Sequence, residues 1–178
     1  MSVDVVVRPT AELPAAVAAS ARRLMDVAFE GDYDDEDWDH GLGGLHFTVE
    51  DGDDVLAHAS VVEREIHVDG RPFRAGYVES VATAPARQGE GLGTAVMRAA
   101  GEHIRQAYEL GVLGTGEHHF YERVGWERWQ GPTFVRHPDG PVRSEEDDDG
   151  VMVLRTGPSE SIDLTSPISC ETRSGDDW

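Results

Sequence analysis

The sequence predicts a mixed α/β (α+β) fold in which a largely antiparallel central sheet is flanked by helices. Three observations predict it. Between residues 46 and 83, three strand-like stretches follow one another, separated only by the turn signals Asp51-Gly52-Asp53-Asp54 and Asp69-Gly70. Two other stretches carry apolar residues at helical spacing. A glycine-rich turn joins the third strand to the second of these helices.

In order, Val3–Val7 reads as a first strand. Pro14 suits a helix start, and Val17, Ala21, Leu24, Met25 and Ala28 then give a helical stripe that runs to Phe29. Residues 31–44 are acidic and glycine-rich, which predicts a loop with a short helix around Trp38. His46–Glu50, Val55–Val68 and Phe73–Thr83 form the antiparallel meander. Val96, Ala100, Ile104 and Ala107 mark a helix from about Thr94 to Glu109. Val112–Thr115 is a strand, and His118–Val124 is a short helix stopped by Gly125. Trp126–Trp129 and Val151–Arg155 are late strands, with an acidic loop over 137–150 between them. The segment 157–178 is polar and without clear periodicity, which predicts a tail. The length suits one domain over residues 1–178.

The chain carries 35 acidic against 15 basic residues, a formal net charge of −20. Every basic residue among the fifteen is arginine. Nucleic acid needs a basic face, so it is not an expected partner. Cationic partners and a hydrated acidic surface are. No run of eighteen apolar residues predicts a membrane span, and no leader pattern is visible. The single cysteine, Cys170, fits a reducing cytoplasm. His58, His103, His118 and His119 do not make a metal set, because 118 and 119 are adjacent and no cysteine cluster supports them. No metal is expected.

The turn Arg87-Gln88-Gly89-Glu90-Gly91-Leu92-Gly93 lies between strand and helix. Glycine admits close approach of a ligand to the backbone. The first amides of a helix lack internal partners, and its dipole favours an anion there. An acidic chain can therefore cradle phosphate with main-chain nitrogens alone. Arg87 adds a cation at the rim. The Walker pattern is excluded because there is no lysine. The dinucleotide fingerprint is excluded because its third glycine falls on Thr94.

Gln88-x-x-Gly91-x-Gly93 after an apolar strand resembles the acyl-CoA pyrophosphate loop of the GNAT N-acetyltransferases. The element order and the segment His119-Phe120-Tyr121-Glu122-Arg123-Val124-Gly125-Trp126 resemble that fold as well. A closer resemblance, to the aminoglycoside 2′-N-acetyltransferases, covers nearly the whole chain. It is carried by Gly31-Asp32-Tyr33, Asp37-Trp38, Gly43-Gly44, Ala57-His58-Ala59, Gly76-Tyr77-Val78-Glu79, Gly131-Pro132-Thr133, Asp147-Asp148-Asp149-Gly150 and Gly175-Asp176-Asp177-Trp178.

That resemblance implies an acetyl-CoA-dependent enzyme. Val81, Ala82, Thr83, Arg87, Gln88, Gly89, Glu90, Gly91, Leu92, Gly93 and Thr94 would hold the cosubstrate, with backbone amides near Val81 on the thioester oxygen. Glu79 would act as a general base through water and Tyr121 as the acid. Alternation along the strand places Glu79 opposite Val78 and Ser80. Asp32, Asp37, Glu79, Asp148, Asp176 and Trp178 would bind a polycationic amino sugar, the segment 157–178 contributing to that site and Trp178 offering its indole and terminal carboxylate. No nucleophile is apparent, which favours direct transfer. A homodimer is implied by the family alone. Two other readings remain open: an acetyltransferase for another amine (a polyamine, a cell-wall amino sugar or a peptide), and a noncatalytic acyl-CoA-binding module.

Overall fold

The computed structural model describes residues 2–178. Its elements are β1 (Val6–Pro9), α1 (Ala15–Ala28), α2 (Asp35–His40), β2 (Leu45–Asp51), β3 (Asp54–Val68), β4 (Arg71–Thr83), α3 (Leu92–Ala107), β5 (Leu110–Gly114), α4 (His118–Glu122), β6 (Glu127–Arg128), β7 (Thr133–His137), β8 (Gly140–Arg143), β9 (Val151–Arg155) and β10 (Ile168–Glu171). Among the described residues, no helix is long and apolar enough to cross a membrane. Two compact units form. Among the described residues, one comprises 2–62 and 78–102, the other 63–77 and 103–178, so β3, β4 and α3 each contribute to both.

In the first unit, β1 pairs antiparallel with β2, and β2 pairs antiparallel with β3 from Leu45↔Val61 to Val49↔Ala57. The register slips between Val49 and Glu50, a bulge after which the ladder resumes at Glu50↔Val55 and closes at Asp51↔Asp54. Helix α1 buries Val17, Ala21, Leu24 and Met25 against Val55 and Ala82, with Leu13, Tyr33 and Trp38 at the margin. Each large aliphatic buried there is worth about 1.5–3 kcal/mol. Helix α2 is short. It is held by a reciprocal cap in which Asp37 N–H donates to Asp34 Oδ1 and Asp34 N–H donates to Asp37 Oδ2, both at 2.9 Å.

In the second unit, β4 pairs parallel with β5 (Ala75↔Leu110, Tyr77↔Val112), and β5 pairs antiparallel with β9. On the other side β3 pairs antiparallel with β10, and β10 parallel with β7. Gly76 and Gly111 are where the sheet packs most tightly. A Cβ at Gly76 would sit 2.8 Å from both Ile104 and Tyr108, and one at Gly111 2.8 Å from Leu154.

Two expectations are corrected. The stretch 137–150 is not one loop: its first residue ends β7, and β8 returns as a hairpin with Phe134 opposite Arg143. The polar segment 157–178 contains β10, a strand paired on both edges whose Ile168 and Cys170 are fully buried. Two inward residues in four are too few to register as periodicity, so tertiary pairing decides that strand.

Candidate active site

The glycine turn forms as its sequence demands. Gly89 and Gly91 both have φ of 83°, the left-handed region where a side chain is strained. A Cβ at either would meet nothing within 4 Å, so both glycines face open space on that side. Ala95 N–H makes the first i−4 bond, to Gly91 O at 3.0 Å, so α3 begins at Leu92 rather than Thr94. The amides of Leu92, Gly93 and Thr94 are then the ones without intrahelical acceptors. No acidic residue lies in the first turn of α3. Arg87 does not stand alone at the rim. Its guanidinium pairs with Glu90 at 2.8 Å, which offsets its charge locally.

Upstream, the alternation expected around Glu79 breaks. Ser80 has φ of 55°, a conformation that costs a non-glycine residue about 1 kcal/mol. Glu79 is half-buried beside it. Three side chains hold the kink. Ser60 Oγ donates to Glu79 O at 3.2 Å, His58 Nδ1 lies 2.7 Å from Ser80 O, and Tyr33 Oη lies 2.5 Å from Ser80 Oγ. The Tyr33 hydroxyl is pushed up to about 12, chiefly by burial, with the Ser80 hydrogen bond opposing and the charges of Asp37 and Glu79 adding. The structure thus brings Asp37 and Glu79 into the field of one phenol. Asp32 is exposed and lies on the turn that follows α1.

Within the second unit, Tyr121 on α4 is buried and pushed up to about 12, mainly by desolvation, with a Thr115 hydrogen bond opposing. Tyr121 therefore holds its proton throughout the neutral range. Asp148 already has partners. It accepts from Thr133 N at 3.0 Å and Thr133 Oγ1 at 2.9 Å, and it pairs with Arg143, which holds it far below the usual carboxylate range. Its neighbour Asp147 is pushed up, first by burial, with a Ser144 hydrogen bond opposing and the charges of Glu146, Asp176 and Asp177 adding. Asp147 and Asp176 thus share one patch, and Trp178 adjoins it through Nε1, which donates to Ser144 Oγ at 3.3 Å. Arg64 helps to order 172–178, its guanidinium donating to Asp177 O, Glu171 O and Glu171 Oε1, and Arg173 N–H adds a bond to Asp177 Oδ1.

Sequence reasoning missed Asp147, Tyr33 and Arg64. Arg64 was the most legible of the three, since the pattern Glu63-Arg64-Glu65-Ile66-His67-Val68 puts it on the inward face with Ile66 and Val68.

Residues 16–129 match the family model described as an acetyltransferase (GNAT) domain. The chain is 42% identical over 173 residues to the aminoglycoside 2′-N-acetyltransferase of Mycolicibacterium fortuitum, covering 95% of this chain and 89% of that one. The GNAT family N-acetyltransferase of Escherichia coli solved with CoA superposes with a TM-score of 0.68 at 17% identity, covering 98% and 96% of the two chains. A GNAT acetyltransferase of Brucella melitensis solved with acetyl-CoA gives 0.61 at 20% identity over 94% and 96%. The two structures establish the fold, and the long match at high identity narrows the family. The chain belongs to the GNAT acetyltransferases, in the family of the aminoglycoside 2′-N-acetyltransferases.

Proposed function

We propose that the protein transfers acetyl from acetyl-CoA directly to the 2′-amino group of an aminoglycoside, and so inactivates such antibiotics. The observation that carries this reading is the 42% identity over 95% of the chain to an enzyme of that name. The site residues support it as follows.

The amides of Gly89, Gly91 and the first turn of α3 bind the cosubstrate's phosphates, and Gln88 and Thr94 flank them. Val81 N–H, just past the Ser80 kink, donates to the thioester oxygen as it gains negative charge. Ala82 and Thr83 continue that edge beside the pantetheine. Glu79 accepts the proton that the substrate ammonium must lose before nitrogen attacks carbon. As the C–S bond breaks, Tyr121 donates its O–H to the departing sulfur. Its pKa of about 12 exceeds the thiol's ordinary value of about 8.5. Tyr121 therefore stabilises the thiolate chiefly as a hydrogen-bond donor. The second proton that the nitrogen loses ends on sulfur, so the net products are amide, CoA thiol and one proton.

Asp32, Asp37, Asp147 and Asp176 supply carboxylates for a polycation, and the Trp178 indole supplies an apolar face. Asp148 acts indirectly by tying Arg143 and Thr133 together. The reading further includes a homodimer that works in the cytoplasm without a metal. Family resemblance supports the dimer, and the single buried thiol of Cys170 supports the compartment.

Thiol release with paired drugs tests the proposal. Tobramycin carries a 2′-amine and kanamycin A a 2′-hydroxyl. Turnover with tobramycin alone is expected, and equal turnover with both contradicts the regiochemistry.

A further inference from the structure

Two buried histidines lie within the first unit. His58 is 0% and His46 1% exposed. Their rings are bonded to each other, His46 Nδ1 to His58 Nε2 at 2.9 Å. At one end His58 Nδ1 meets Ser80 O at 2.7 Å. At the other, His46 Nε2 meets Thr10 Oγ1 at 2.8 Å, and Gly43 N–H donates to that hydroxyl at 2.9 Å. The Trp38 indole packs over both rings, with centroids 6.1 and 5.8 Å away.

The polarity of this chain is fixed by its end. A carbonyl oxygen only accepts, so His58 Nδ1 carries a hydrogen. A neutral imidazole has one N–H, so His58 Nε2 is bare and His46 Nδ1 must donate to it. His46 Nε2 is then bare, and the Thr10 hydroxyl donates to it at 2.8 Å rather than to the more distant Gly44 O at 3.4 Å. Both rings are Nδ1–H tautomers, the reverse of what free neutral histidine favours. Burial supports neutrality by pushing both pKa values down, that of His58 to about 4.

We propose that His58, backed by His46 and Thr10, is a positioning residue of acetyl transfer: by holding the Ser80 carbonyl, it aims the Val81 N–H at the thioester oxygen. The link is the planarity of the peptide. In a trans unit the C=O and N–H point in opposite directions, so fixing Ser80 O toward the imidazole turns Val81 N–H away from it. Ser80 occupies the left-handed region, and an extended strand residue would not present that orientation. The inference rests on the acetyltransferase reading and adds to it the device that orients the donor.

The experiment has two arms. In the first, ¹⁵N NMR of the imidazoles of the unmodified protein at neutral pH is expected to report Nδ1–H at both His46 and His58. An Nε2–H tautomer at His58 overturns the proposal, whatever the activity. In the second, His58→Leu removes the donor and His58→Gln restores one with its side-chain amide. Loss of one oxyanion donor is worth about 10²–10³ in kcat. His58→Leu is expected to lose roughly that much in kcat with little change in the KM for acetyl-CoA, and His58→Gln to recover at least about tenfold of it. A folded His58→Leu variant with unmodified kcat overturns the proposal. So does a His58→Gln variant that folds with intact CoA binding yet has no turnover. If His58→Leu does not fold, the tautomers and His58→Gln decide. Absence of thiol release from the unmodified protein would instead sink the proposed function, an outcome separable from all of these.

Discussion

Arg64 Nη1 donates to the main-chain carbonyl of Asp177 at 2.7 Å, from a residue only 5% exposed. The same guanidinium holds Glu171 through Nε at 2.9 Å and packs over the Tyr77 ring at 4.6 Å from its centroid. This buried cation thus helps to tie down the segment that carries Asp176 and Trp178. Replacing one partner of a buried pair costs about 3 kcal/mol. Arg64→Met is therefore expected to lower Tm by roughly 10 °C in a thermal scan. Below that Tm its KM for the aminoglycoside should rise about tenfold while that for acetyl-CoA holds.

Glu79→Gln and Tyr121→Phe separate chemistry from binding. General acid–base groups contribute about 10²–10⁴ to rate. Each variant should lose turnover in that range, Glu79→Gln the more of the two, with calorimetric CoA affinity unchanged. Full turnover in both would contradict these two roles, whereas CoA binding without turnover even in the unmodified protein would favour a binding module.

Asp147 and Asp148 are neighbours with different tasks. Asp147 lies in the field of Asp176 and Asp177, whereas Asp148 is taken up by Arg143 and Thr133. Asp147→Asn should raise the KM for the acceptor with little loss of stability. Asp148→Asn should lower Tm, because it releases Arg143 and leaves Thr133 N–H without its carboxylate. The two variants are read by steady-state kinetics and melting side by side.

The buried imidazoles make stability depend on pH. His58 is held near 4 in the folded chain against an ordinary 6.5, so between those values the unfolded chain binds the extra proton. Its contribution is complete above about pH 6.5, falls as the pH drops toward 4, and levels off below. The span is on the order of 3 kcal/mol. Urea unfolding of the unmodified protein and of His58→Gln from pH 7 to 4 should show a steeper loss for the former.

Much of this was legible in the chain because local chemistry decides it. The meander from β2 to β4 follows from apolar strands punctuated by Asp-Gly turns, and Val151–Arg155 falls where β9 is found. The cosubstrate turn is legible because only glycine suits φ of 83° at both Gly89 and Gly91. What escaped depends on distant partners. β10 is a strand only because β3 and β7 flank it. β8 carries Pro141 and exposes Val142, so it resembles loop until Phe134 and Arg143 are seen to pair. Asp148 belongs to an acidic run in sequence and to Arg143 in space. His46 and His58 lie on strands buried on both faces, where alternation gives no signal for a polar core residue.

The central claim is the position of the acetyl group. Incubation with acetyl-CoA and tobramycin, followed by mass spectrometry and NMR of the purified product, should give a single monoacetylated species with the amide on the 2′ nitrogen. An amide at any other nitrogen, or no drug-derived product while acetyl-CoA binds, would contradict it.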